Sequence, residues 1–118
     1  MKKVLKIIND ELNVMNIPYT FDGWDKELEL PQFIGEIFET PTLNEDGLCE
    51  YSVILTGIAM KNDIDYLLAV AEQLMERYKP SRTVNGVVIM YSNTMPVDTN
   101  SEDLKKIQIT LNIKKWSV

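Results

Sequence analysis

The chain has 118 residues, 45% of them apolar and 25% charged, with a formal net charge of −6 and an isoelectric point near 4.6. That is the length of one domain, 1–118, able to bury roughly 65% of its unfolded surface, with a composition that argues against disorder. One cysteine and no histidine exclude an internal disulfide, the usual zinc, copper and haem ligand sets, and histidine-based acid–base or triad chemistry.

The acidic balance opposes tight binding to a nucleic-acid backbone, which calls for a clustered basic face, and favours a protein partner or a second copy. No stretch approaches the ~20 apolar residues of a membrane-spanning helix. The start, Met1-Lys-Lys-Val-Leu-Lys-Ile-Ile-Asn-Asp, is not read as a secretory signal. Lys6 breaks its apolar run, and Asn9, Asp10 and Glu11 end it without a small-residue cleavage site. The lone Cys49 fits a reducing cytoplasm.

Residues 2–16 place Val4, Leu5, Ile8, Leu12 and Met15 on one side of a helix and Lys3, Lys6, Asn9, Asp10 and Asn13 on the other. Ile17-Pro18 stops it, because the residue before proline avoids the helical region. Residues 17–31 mix Tyr19, Phe21 and Trp24 with Asp22, Asp25, Glu27 and Glu29 without a period. Tyr19 to Phe21 reads as a short strand and the remainder as loop, with Pro31 where the next strand begins.

Segments 33–40 and 50–59 are rich in β-branched and aromatic residues, and Pro41-Thr-Leu-Asn-Glu-Asp-Gly47 between them carries the residues of a reversal, so the three form a hairpin. Neither strand alternates cleanly. Both faces carry apolar residues, as expected of a sheet covered by helices on one side and by another subunit on the other. From Asp63 a helix of about 16 residues, roughly 24 Å long, is marked by Ile64, Leu67, Leu68, Ala71, Leu74, Met75 and Tyr78. Asn62 or Asp63 is placed to cap its first turn, and Lys79-Pro80 ends it.

Residues 81–86 read as a connector, Val87 to Tyr91 as a third strand, and the polar stretch Ser92 to Asp103 as a loop and contact arm. Ile107, Ile109, Leu111 and Ile113 then alternate with Gln108, Thr110, Asn112 and Lys114, one dry face and one wet. The expected fold is α+β: an antiparallel sheet of about four strands with two helices on one face, in the order α-β-β-α-β-β.

Reactive centres are hard to assemble from these residues. Asn44-Glu45-Asp46-Gly47 with Glu50 offers oxygen ligands but lacks the alternating acids and distal glutamate of a calcium loop, so an ordinary acidic hairpin tip is expected and no metal or cofactor. The carboxylates from Asp22 to Glu29 read as a solvated loop, and Cys49 has no base or helix N-terminus indicated beside it. Trp24 and Trp116 lie outside the amphipathic stripes, which makes each either a cap on the core or an anchor for a neighbour; the wet parity of Trp116 tilts it toward an interface. Phe38 and Tyr51 in the two-sided strands and Pro96 in the arm complete the candidate interface residues.

Several stretches together carry a resemblance. A leading helix ends in Asn16-Ile17-Pro18-Tyr19, and a Trp-containing loop leads to Pro31-Gln-Phe-Ile-Gly35-Glu. Asn44-Glu-Asp-Gly47 precedes Tyr51-Ser-Val-Ile-Leu-Thr-Gly57, and a long helix and two last strands follow. Over nearly the whole chain this layout resembles the tail terminator, or tail completion, proteins of long-tailed bacteriophages and prophages. The resemblance implies a non-enzymatic virion protein, assembled in the bacterial host cytoplasm and ending in the neck. It would close as a ring, usually of six copies, on the head-proximal end of the tail tube, touching the tube protein and the head connector. It implies no membrane and no specific nucleic-acid contact, although DNA would pass through the ring. A small acidic binding module, of inhibitor, immunity or DNA-mimic type, is the alternative.

Overall fold

The computed structural model describes residues 2–21, 30–40 and 48–116. Helix α1, Lys2–Val14, buries Val4, Ile7, Ile8, Glu11 and Leu12. It ends at Val14, four residues before Pro18. Asn16 takes a left-handed conformation (φ 56°) and the Ile17 amide bonds back to the Leu12 carbonyl at 3.1 Å, the closing bond of a Schellman cap that Asn tolerates better than most residues. Proline follows the helix end and does not cause it.

Strand β1, Tyr19–Thr20, runs parallel to β2, Gln32–Thr40, which pairs antiparallel with β3, Leu48–Met60. A short 3₁₀ turn, Lys61–Asp63, leads into α2, Ile64–Tyr78, and then come β4, Arg82–Val84, β5, Val87–Val97, and β6, Leu104–Trp116. The strands form one curled sheet in the order β1-β2-β3-β6-β5-β4. The four-strand antiparallel expectation in the order α-β-β-α-β-β is therefore overturned: among the described residues the sheet has six strands, is mixed, and curls into a half-barrel. The two additional strands are two and three residues long, too short to show any period, and β1 is the parallel one.

Three other expectations also shift. Residues 81–86 are a hairpin and not a plain connector. Asn85 and Gly86 both have positive φ (51° and 83°) between β4 and β5, the pair that a two-residue turn matching strand twist requires. Residues 92–97 belong to β5 and not to a loop; the pairing skips Ser92 between Tyr91/Leu111 and Asn93/Thr110. Pro96 is tolerated because β4 covers only residues 82–84 against 87–89, so that stretch of β5 has an open edge among the described residues. Finally, Asp63 occupies the N-cap of α2 without a side-chain bond to the first turn.

Both helices and one sheet face share a single core. Phe33, Val53, Leu55, Ile89, Ile109, Leu111 and Ile113 lie in one cluster with Val4, Ile8, Leu12, Leu67, Leu74 and Tyr78. The stripe of α2 is rotated from its expected position, with Val70 buried and Leu68 48% exposed. Gly57 makes the packing of α2 on the sheet possible: a Cβ there would stand 2.6 Å from the Phe33 ring and 3.0 Å from Leu67 Cδ2.

Candidate interaction surfaces

Among the described residues the buried charged chemistry is committed to one internal cluster. Glu11 sits on the dry side of α1, one turn from Ile7 and Ile8, with 7% of its surface exposed. Arg77 near the end of α2 meets it as a fork, Nε to Oε1 and an Nη to Oε2, each at 3.1 Å. The Tyr78 hydroxyl donates to Oε1 at 2.8 Å, and Arg82 Nε on β4 lies 3.7 Å away. Burial alone would raise the Glu11 pKa, but the bonds from Arg77 and Tyr78 and the two positive charges outweigh it and hold the carboxyl below its usual value. Burial first, then the facing carboxylate, pushes the Tyr78 phenol up. A carboxylate with both oxygens occupied is a fastener between α1, α2 and β4. Sequence reading missed Glu11, although a lone acid three residues from Ile8 and one from Leu12 is the signal that finds such a pair.

Among the described residues no buried side-chain nitrogen or oxygen lacks a partner, and no group of three acidic or cysteine side chains converges as a metal site. The loop 44–47, Trp24 and the carboxylates from Asp22 to Glu29 lie outside the described residues. Cys49 is a half-buried free thiol. No helix among the described residues is long and apolar enough to cross a membrane.

Apart from Val14 at the end of α1 and Tyr66 on α2, the large apolar side chains exposed among the described residues belong to the long strands and the start of α2, and most lie toward the two ends of the sheet. At one end β3 pairs Leu48 with Trp116, and Phe38 is opposite Ser52. Phe38 and Trp116 share a face by parity, the one turned away from the helices, and are 47% and 48% exposed. A pocket of about 350 Å³ lies there, lined by Thr40, Glu50, Ser52, Met90, Asn112 and Lys114. Glu50 and Lys114 face each other across it at 4.0 Å, an exposed pair of small energetic weight. Tyr51 takes the other parity and is in the core at 4% exposure.

The opposite end is different in shape. β3 pairs Met60 with Leu104 there, and α2 begins just beyond. Between the first turns of α2 and the turn from β5 to β6 lies a groove of about 660 Å³, whose apolar wall includes Ile64, Leu68, Pro96, Val97 and Leu104. The turn on its rim is tied to itself. Thr99 Oγ1 donates to the Ser101 and Leu104 carbonyls at 2.6 and 3.0 Å, and the Asp103 amide donates to the Ser101 hydroxyl at 3.2 Å. Pro96 is thus brought to this groove, far from Phe38 and Trp116.

Among the described residues both long sheet edges are blunted. The open stretch of β5 carries a bulge at Ser92 and Pro96, and that of β2 carries Glu36 and Glu39, devices that discourage edge-to-edge strand pairing. The sequence matches no protein-family model, and comparison with curated proteins and with solved structures returns no significant match.

Proposed function

We propose that this chain is a structural assembly protein of a long-tailed bacteriophage or prophage: a tail terminator that closes as a ring of copies on the head-proximal end of the tail tube and joins it to the head connector. It would assemble in the host cytoplasm and end in the neck of the virion. The observation that carries the reading is the division of labour among side chains. The one buried carboxylate among the described residues is spent on holding α1 to α2, while Phe38, Trp116, Met60 and Leu68 stand exposed at the two ends of the sheet, where a neighbour would cover them. A ring of copies each carrying −6 charges would give an acidic lumen that repels DNA and lets it pass.

The test is incubation with polymerising tube protein encoded beside the same gene, with tube lengths read by negative-stain microscopy. Addition of the chain is expected to arrest growth and leave a cap on one tube end. Tubes that keep growing with bare ends would reject the terminator reading, and a chain that also stays monomeric would be the small acidic binding module instead.

A further inference from the structure

Four observations bear on how copies would meet. Two of the exposed apolar surfaces are unlike: one presents the half-exposed Trp116 indole with Phe38 on the same face, the other is a groove walled by Ile64, Leu68 and Pro96. They lie at opposite ends of β6, whose thirteen residues span roughly 40 Å at ~3.3 Å per residue, in a molecule whose longest extent is 48 Å. Trp116 follows Lys114, which faces Glu50 at 4.0 Å, and Lys115, while the turn on the rim of the groove carries Asp98 and Glu102 with Asp103 beside them; Lys105 and Lys106 stand on the wall behind that turn. And the strand edges that would allow sheet continuation are blunted.

A self-complementary patch would produce a two-fold dimer. Two different patches at opposite ends are instead the arrangement that a head-to-tail contact needs, closing into a ring when the rotation per copy allows. We infer that the groove between α2 and the 98–103 turn receives Trp116 of a second copy, with Lys114 and Lys115 of that copy against the acidic rim. This inference rests on the ring reading for its biological setting, but its contact is testable without any tube.

The experiment uses two single variants of the full chain, Trp116→Ala and Leu68→Asp, each at an exposed position so that folding is retained and checked by circular dichroism. In sedimentation velocity the wild type is expected to form species larger than a monomer as concentration rises toward about 1 mM, and each variant alone to remain monomeric. Mixed in equal amounts, the two variants restore one contact, the intact Trp116 of the Leu68→Asp chain in the intact groove of the Trp116→Ala chain, so heterodimers appear and nothing larger does. A wild type that is monomeric throughout, a Leu68→Asp variant that still associates, or a mixture that gives no heterodimer each overturns the assignment. If tubes are capped while the mixture fails, the contact is wrong and the terminator reading stands. If the mixture succeeds while tubes stay uncapped, the contact stands and the terminator reading fails.

Discussion

Glu11 is the clearest place where a single side chain holds elements together. Removing one partner of a buried ion pair costs about 3–5 kcal/mol when the other is left stranded. Arg77 can turn partly to water, its side chain being 24% exposed, so Glu11→Ala should cost about 2–3 kcal/mol, read as a lower urea midpoint at pH 7 with an unchanged slope. The same carboxylate makes stability depend on pH. Its folded pKa lies below its usual 4.5, so its contribution is fully present above 4.5 and is lost as pH falls through the folded value. Wild type should lose stability over that window more steeply than Glu11→Gln. At the alkaline side the sign reverses. Tyr78 is raised above its usual 10.0, so its contribution holds below pH 10 and is lost as pH climbs beyond it. Tyr78→Phe should cost about 1–2 kcal/mol at neutral pH and flatten the decline above pH 10.

At the scale of elements, close approach governs how α2 meets the sheet. A methyl at Gly57 would collide with the Phe33 ring and crowd Leu67, both fully buried, so Gly57→Ala is expected to cost about 1–3 kcal/mol through overpacking, measurable by thermal melting. Gly86→Ala, at φ 83°, should cost about 1 kcal/mol by backbone strain alone, since Lys3 Nζ, 4.0 Å from the added carbon, is the nearest obstacle. The two helices, the β2–β3 hairpin and β6 were legible because long segments repeat their period often enough to be seen. β1 was read as a short strand at Tyr19 to Phe21, though its parallel pairing was not; β4 was not read, although Asn85-Gly86 is a hairpin signal that could have located it. The far half of β5 was hidden for a different reason. The Ser92 bulge puts Asn93, Met95 and Val97 on the face of Thr110, Gln108 and Lys106, so an alternation read straight through from Val87 and Ile89 points Met95 the wrong way. Of the candidate residues, the exposure of Trp116 followed from the parity of β6. The burial of Tyr51 could not be read from a strand with apolar residues on both faces, and the groove exists only because the turn after Val97 comes beside the start of α2.

At the scale of the whole molecule, the radius of gyration is 14.9 Å, against roughly 13.5 Å for a compact domain of this length. The excess follows from strands of thirteen residues under helices that cover one face, and it carries the two apolar surfaces to the ends of the long axis. Because α1, α2 and the sheet share one core, unfolding should be a single cooperative transition with a heat-capacity change of about 1.6 kcal/mol/K. If the ends meet between copies, the folded chain has a ligand that the unfolded chain lacks, namely itself. Mass action then stabilises the native state by about 2.7 kcal/mol at a hundredfold excess over the dissociation constant. For a domain of this size that corresponds to a melting temperature higher by about 10 °C. Wild type melted across the concentrations over which it associates should show a rise in that direction. Trp116→Ala and Leu68→Asp should each melt at a temperature independent of concentration, because each removes a different half of the same contact. A rise that survived both substitutions would place self-association elsewhere on the surface.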